Sequence, residues 1–514
     1  MRVNKSGVLG AFFLATLTAS TASYAEDFGD WPMFGQNIAN TASSLLQLGI
    51  SKQSATKLTL KWVAPTGGDV SARAAVVDGV VYFPDWGGNL WALSADTGAV
   101  VWHHQLSDYG LSAGTVARAT PAISRGTLYI GTQQGAYTLA IDARTGALRW
   151  KTQLDTHPLA IISTSATVYN GVIYTGVASS EENAAIDPTY PCCSFRGSAM
   201  ALNADTGAVI FKKYMVPTGY SGGSIWGSNP VVDPLRRTVF VGTGNNYDTP
   251  TDPAFKSCIA AGGTLPSCLS PNDYVDSIVA LDMRTGAVKW SRRLSSSDDW
   301  NVSCFFDAPG IDNCPSGSGP DYDFGSAPNE FVTVMPDRSL RQILGAGQKS
   351  GVYSAFDPDT GKLLWATQVG PGSSLGGIEW GSATDGQRIY VAISNLNHIP
   401  YAAGSAGSWA ALDAATGKII WQKADPNGSL DLGPMTVMHG VVYAPSMGAN
   451  APNMYALDAA TGNTLWSYKT AGSVNAGAVV VDRTVYWGSG YAHLPIPGFV
   501  GNNQFFAFTV PRGY

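Results

Sequence analysis

The 514 residues carry 31 basic and 37 acidic side chains, a net charge of −6, and only 13% of them are charged. So long and sparsely charged a chain can bury a large core, and with no basic patch to neutralise phosphates it is not built to bind nucleic acid. Its 59 glycines and 15 tryptophans point to a β-rich fold with many tight turns.

The N-terminus has Arg2 and Lys5, an apolar run over 8–17 and small residues ending "ASYA" at Ala25. This pattern predicts a secretory signal peptide over 1–25, too short to span a bilayer. No cysteine stands directly after the cleavage point to take a lipid and no later segment suits a membrane span, so the expectation is a periplasmic or secreted protein of net charge about −8. In an exported chain six cysteines allow three disulfides, and spacing suggests Cys192–Cys193, Cys258–Cys268 and Cys304–Cys314.

From residue 92 a phrase recurs. It reads "ALSADTGAVVW" ending at Trp102, then returns at Trp150, Phe211, Trp290, Trp365 and Trp421, and closes as "ALDAATGNTLW" at Trp466. Two alternating apolar stretches precede each copy, which predicts four short antiparallel strands per repeat. "D-x-x-TG" is the turn between the third and fourth, with glycine at positive φ. Near the C-terminus "SVNAGAVVVDRTVYWGSGY" and "NNQFFAFTV" supply three strands, and "LTLKW" at 58–62 supplies the missing fourth. The expectation is an all-β, eight-bladed β-propeller over 26–514, closed by pairing of its ends so that no sheet edge stays open.

Repeat phase places the loop entering each blade and the loop after its second strand on one rim. Long insertions fall there, at 178–197, 246–275, 299–320, 396–408 and 490–503. The strand starts on this rim are Arg73, Arg118, Ser163, Thr164, Trp226, Asp321, Asp323, Trp380, Asp431 and Asn475. The second strands end at Asp85, Gln133, Glu181, Asn245, Lys349 and Asn395. Carboxylate and amide oxygens suit a hard cation such as Ca²⁺, cationic side chains suit carboxylates, and tryptophans suit a flat ring.

With "DWPMFGQNIANT", "PCCSFRGS", "GPDYDFGSAP", "GAGQKSGVYSAFDPDTG" and "GGIEWGSATDG", the chain resembles the pyrroloquinoline quinone (PQQ)-dependent alcohol dehydrogenases, most of all their polyvinyl-alcohol dehydrogenase branch. The resemblance implies PQQ and Ca²⁺ as cofactors. It implies Glu181, with Glu182 as the other choice, Asn245 and Asp321 as metal ligands, and Trp226 flat against the quinone. Arg118, Ser163, Thr164, Lys349, Trp380 and Asn395 would surround it. The family's "D-x-W-D" phrase reads "DDWN" here, ending in Asn301, so the resemblance implies Asp321 in "GPDYDFG" as the base, with Asp323 in reserve and Lys349 assisting. Many relatives carry a vicinal disulfide over the quinone, from an earlier blade. Cys192 and Cys193 are expected to form such a lid from a different loop, the alternatives being a thiol or two long-range bridges.

The implied activity is oxidation of an alcohol, small or polymeric, to a ketone or aldehyde. With no CxxCH haem motif in the chain, electrons would pass to a separate cytochrome c or another exported acceptor. The competing readings are a non-catalytic envelope scaffold and an aldose dehydrogenase on the same scaffold.

Overall fold

The computed structural model describes residues 29–511 apart from 45–47, 228, 307–312 and 495. The expected signal peptide lies outside the described residues. Eight sheets form the predicted eight-bladed propeller. Seven are consecutive in sequence, from blade 1 (Ala75–Val77, Val80–Pro84, Asn89–Ser94, Val100–Gln105) to blade 7 (Thr436–Met438, Val441–Pro445, Met454–Asp458, Thr464–Tyr468). Blade 8 takes Val479–Val481, Thr484–Ser489 and Gln504–Thr509 from the C-terminus and Thr59–Pro65 from the N-terminus, with Thr59 opposite Thr509 and Pro65 opposite Gln504. Among the described residues no helix is long and apolar enough to cross a membrane.

The recurring phrase works as a lock between blades. In blade 2 the Asp142 carboxylate accepts from the backbone and hydroxyl of Thr145, both at 2.9 Å, closing the turn. Gly146 then sits at φ +75°, where a Cβ would come within 3.0 Å of the Trp102 ring of blade 1. That indole covers the glycine and donates to the Ala143 carbonyl at 2.8 Å. Trp150, Trp290, Trp421 and Trp62 repeat the donation to the next blade, and Trp466 closes the circle on Leu58.

The N-terminal segment does something the repeat does not anticipate. Residues 31–43 run along the inner strands on the side away from the long loops. Trp31 bridges Val76 of blade 1, and Pro32 accepts from Ile123 of blade 2. Ile38, Ala39, Thr41 and Ala42 accept from Val232, Glu330, Thr384 and Val437 of blades 4 to 7. One segment thus plugs the axial channel at one end, leaving the rim with the insertions as its mouth.

The insertions on that rim are stapled together. Cys192–Cys193, Cys258–Cys268 and Cys304–Cys314 are all disulfides, the first across a cis peptide bond. Backbone bridges run from Arg196 to Gly222, on to Asn246, and on to Asp299, linking the loops of blades 3, 4 and 5. Asn313 donates to the Ala185, Asp187 and Tyr190 carbonyls, tying the Cys304–Cys314 loop to the Cys192–Cys193 loop.

Candidate active site

Four expected side chains converge at the axial mouth beside blades 4 and 5. The Lys349 ammonium donates to both oxygens of Asp321 at 3.0 Å and lies 3.2 Å from the Asp323 carboxylate. The same ammonium is 4.9 Å from the centre of the Trp226 ring. Asp323 is clamped further: it accepts from the Trp226 indole and from the Asn245 backbone, each at 2.8 Å. Asp323 is therefore an anchor for the indole, and Asp321, held only by Lys349, is the carboxyl with oxygens to offer. Asp321 sits at φ +60°, in the left-handed region that costs a non-glycine residue energy and recurs at functional sites. Asp298 holds it there, accepting from the backbone amides of Asp321 and Tyr322 at 2.9 and 2.6 Å.

The charges do not balance. Burial pushes the Asp321 carboxyl well above its ordinary range; Lys349 opposes that, and Asp323 and Glu182 add to it. Burial raises Glu182 to about 7, with Lys349 pulling it down and Asp323 and Asp298 pushing it up. Glu379 also stands at about 7, raised by burial against the pull of Lys349 and Arg118. Burial works against the charge on Lys349, yet the surrounding carboxyls hold its pKa well above the ordinary value. One buried ammonium cannot neutralise this many carboxylates, so the cluster must keep protons or take up a cation.

The donors for a cation are partly free. Both amide hydrogens of Asn245 are engaged, by the carbonyls of Asn246 and Trp300, while its buried Oδ1 has no partner. Glu181 is placed differently from expectation. Its Oε1 accepts from the Tyr190 hydroxyl and from the backbone and hydroxyl of Ser194, and its Oε2 from the Phe195 amide. That carboxylate is occupied in holding the Cys192–Cys193 loop, and it is the charge of its neighbour Glu182 that bears on Lys349 and Asp321. The described residues hold no set of three His, Cys, Asp or Glu side chains arranged around one point.

A family profile described as "Outer membrane protein assembly factor BamB" (PQQ_2) matches residues 50–292 and 348–496. The chain belongs to the PQQ_2 family. It is 33% identical over 381 residues to a polyvinylalcohol dehydrogenase of Sphingopyxis sp. (strain 113P3), covering 71% of this chain and 54% of that protein. It is 30% identical over 443 residues to a polyvinylalcohol dehydrogenase of Pseudomonas sp., covering 81% and 64%. The chain thus spans less than two thirds of either curated relative. The crystallised quinohemoprotein alcohol dehydrogenase ADHIIG of Pseudomonas putida HK5 superposes with a TM-score of 0.71 over 94% of this chain and 80% of that one, at 20% identity, a likeness of fold.

Within this PQQ_2 propeller the other expected residues divide into two groups. Arg118 and Trp380 belong to the mouth: the guanidinium lies 4.1 Å from the centre of the Trp380 ring, and Trp380 meets Trp226 edge-on at 5.1 Å. Ser163 lines an axial cavity together with Arg118 and Trp380, while the Thr164 hydroxyl is turned to the backbone and the Asn395 amide to its own loop. The two hydroxyls donate to the carbonyls of Trp226 and Ile225, at 2.8 and 2.5 Å, which fixes the backbone under the indole. Asn395 is consumed by its own loop, donating to Ile399 and Ala406 and accepting from the Ile399 amide. Cys193 packs against the cluster that contains Phe195 and Tyr247. Sequence reasoning missed Asp298 and Glu379. The first lies inside the very "DDWN" phrase that departs from the family pattern, and the second stands next to Trp380 in "GGIEWG".

Proposed function

We propose that this chain is an exported quinoprotein dehydrogenase that oxidises an alcohol with PQQ and Ca²⁺ and passes the electrons to a separate cytochrome c or another exported acceptor. The observation that carries the reading is the surplus of buried carboxyls around Lys349, beside the unpartnered Asn245 Oδ1 and the Trp226 ring. These residues fit the implied groups. Glu182, Asn245 and Asp321 would hold the cation; Ca²⁺ takes six to eight oxygens, which leaves positions for a chelating quinone and for water. Trp226 would lie against the ring with Trp380 beside that indole, and Arg118 and Lys349 would meet the quinone's anionic edge.

When bound, PQQ supplies the two-electron oxidation and Ca²⁺ the Lewis acidity. The chain supplies the rest. Asp321 accepts the hydroxyl proton of the substrate at a carboxylate oxygen, which requires it ionised; the added positive charge beside Lys349 lowers its pKa toward that state. Lys349 steadies the negative charge that develops opposite it. Asp323 holds the indole and the Asn245 backbone in register, and Asp298 holds Asp321 in its left-handed conformation.

The relatives named for polyvinyl alcohol favour a secondary, polymeric alcohol as substrate. The test is reconstitution of purified protein with PQQ and Ca²⁺, followed by dye reduction with propan-2-ol, polyvinyl alcohol and glucose. Turnover with the secondary alcohols is expected. Turnover with glucose alone would assign an aldose dehydrogenase. Failure to take up PQQ would favour the non-catalytic scaffold reading, which the description of the matching family profile supports.

A further inference from the structure

A small cavity of about 30 Å³ lies on the ring axis between the plug and the mouth. Its lining includes Phe34 of the plug, Arg118 and Trp380 of the mouth, and Arg73, Thr120 and Asn475 between them. Arg73 is 1% exposed, and no carboxylate forms an ion pair with it among the described residues. Its guanidinium donates to the carbonyls of Phe34 and Met435 and to the Thr436 hydroxyl, at 2.6, 2.8 and 2.9 Å. A guanidinium has five donors, so two N–H groups remain, Nε among them. Gly477 makes room for the group: a Cβ there would lie 2.5 Å from a terminal nitrogen.

Two other lining groups are also buried without partners, the Thr120 hydroxyl and the Asn475 Oδ1. Burial without a counter-ion lowers the pKa of Arg73 to about 9, which still leaves it charged at neutral pH. The centres of the Trp31 and Phe34 rings lie 5.6 and 4.7 Å from the guanidinium and share in holding it, but no carboxylate of the described residues does. A buried cation without a counter-ion beside a polar hollow has room and donors for an anion. The volume admits one or two water-sized groups and excludes a ring.

We infer that this axial cavity binds a single carboxylate-sized anion through Arg73, with Arg118 on its far wall. Two sources share that chemistry. One is a carboxylate of the quinone entering from the mouth, which rests on the proposed function; the other is a free small anion, which does not.

The test uses formate as probe on the full chain, in buffer free of chloride and other small anions, with thermal unfolding as readout. Formate is expected to raise the Tm of the quinone-free protein. Asn475→Asp, which places a carboxylate beside Arg73 from within the chain, is expected to raise the Tm without formate and to abolish the formate response. Arg73→Met is expected to lose that response; where the quinone supplies the carboxylate it also weakens PQQ binding, read by quenching of tryptophan fluorescence, by about tenfold or more, the scale of a lost charge-assisted hydrogen bond, and where a free anion does, PQQ binding is unchanged. If the Arg73 variant fails to fold, Asn475→Asp and formate still decide the matter. A formate response that disappears on loading PQQ assigns the site to the cofactor's carboxylate. A response that persists assigns it to a free anion, and a protein that refuses PQQ can still show it. The inference is overturned if formate leaves the wild-type Tm unchanged, or if Asn475→Asp lowers the Tm and keeps the response; Arg73 would then only brace the plug.

Discussion

The outer edge of the ring and its axial mouth are built on opposite plans. At the outer edge one device repeats: a TG turn, a glycine with no Cβ, and an indole from the preceding blade laid over it, as with Gly146 and Trp102. At the mouth the blades contribute unlike sets of residues: Glu182 comes from blade 3, Asn245 and Trp226 from blade 4, Asp321 and Lys349 from blade 5 and Trp380 from blade 6. The edge gains stability from uniform packing, while the mouth tolerates buried like charges and a left-handed aspartate. Stability resides in the repeated positions, and chemistry in the positions that break the repeat.

The sharpest way to separate the two plans is to mutate each. Asp321→Asn should lower dye-linked turnover at saturating PQQ by about 10²–10⁴-fold with little change in Tm, the scale of a lost general base. Asp323→Asn should act mainly on PQQ affinity, because that carboxylate holds Trp226. At the edge, Trp102→Ala should cost about 3–5 kcal/mol in denaturant unfolding and leave the turnover of the folded protein unchanged.

A pH series distinguishes the regions more finely. Glu379 is raised from the ordinary glutamate value to about 7 by burial. A carboxyl raised in the folded state favours folding below its unfolded pKa of about 4.5, and that contribution is lost as pH rises through about 7. The Tm of quinone-free protein should therefore fall between pH 5 and 8, and Glu379→Gln should flatten part of that slope. The smallest effect is expected at the surface of the edge: Arg149→Ala, which breaks the exposed 2.8 Å pair with Asp142, should change stability by no more than about 1 kcal/mol.

How much of this was legible in the sequence follows the same division. The turns covered by Trp102, Trp150 and Trp466 could be read because a periodic phrase sets a glycine turn in each blade, although the Phe211 side chain has no N–H to donate and the Trp365 Nε1 finds no partner among the described residues. The ring closure at Thr59–Pro65 followed from counting strands. The resemblance pointed to Asp321, and both oxygens of that aspartate face the Lys349 ammonium. The resemblance put Glu181 ahead of Glu182, but the sequence does not show that the two begin a short helical turn in which successive side chains point in different directions, nor that a donor-rich loop captures the first. The hydrogen-bond partners of Ser163, Thr164 and Asn395 were illegible for a related reason: a polar side chain at a strand end takes whatever backbone partner lies nearest, and those partners come from distant residues or from irregular loops. The plug formed by 31–43 has no repeat to announce it, and Asn301 carries an amide because it grips the Tyr247 and Asn313 carbonyls of the insertion.

The most direct test of the central claim, that the mouth gathers oxygens around a cation beside Trp226, is terbium luminescence. Tb³⁺ replaces Ca²⁺ at oxygen sites and emits when an excited indole lies close by. Sensitised emission that Ca²⁺ competes away, that weakens at least about tenfold in apparent affinity in Glu182→Gln and Asn245→Leu, and that survives in Glu181→Gln is the predicted result. Emission that is absent, or that is lost in Glu181→Gln while both other variants retain it, would contradict the account.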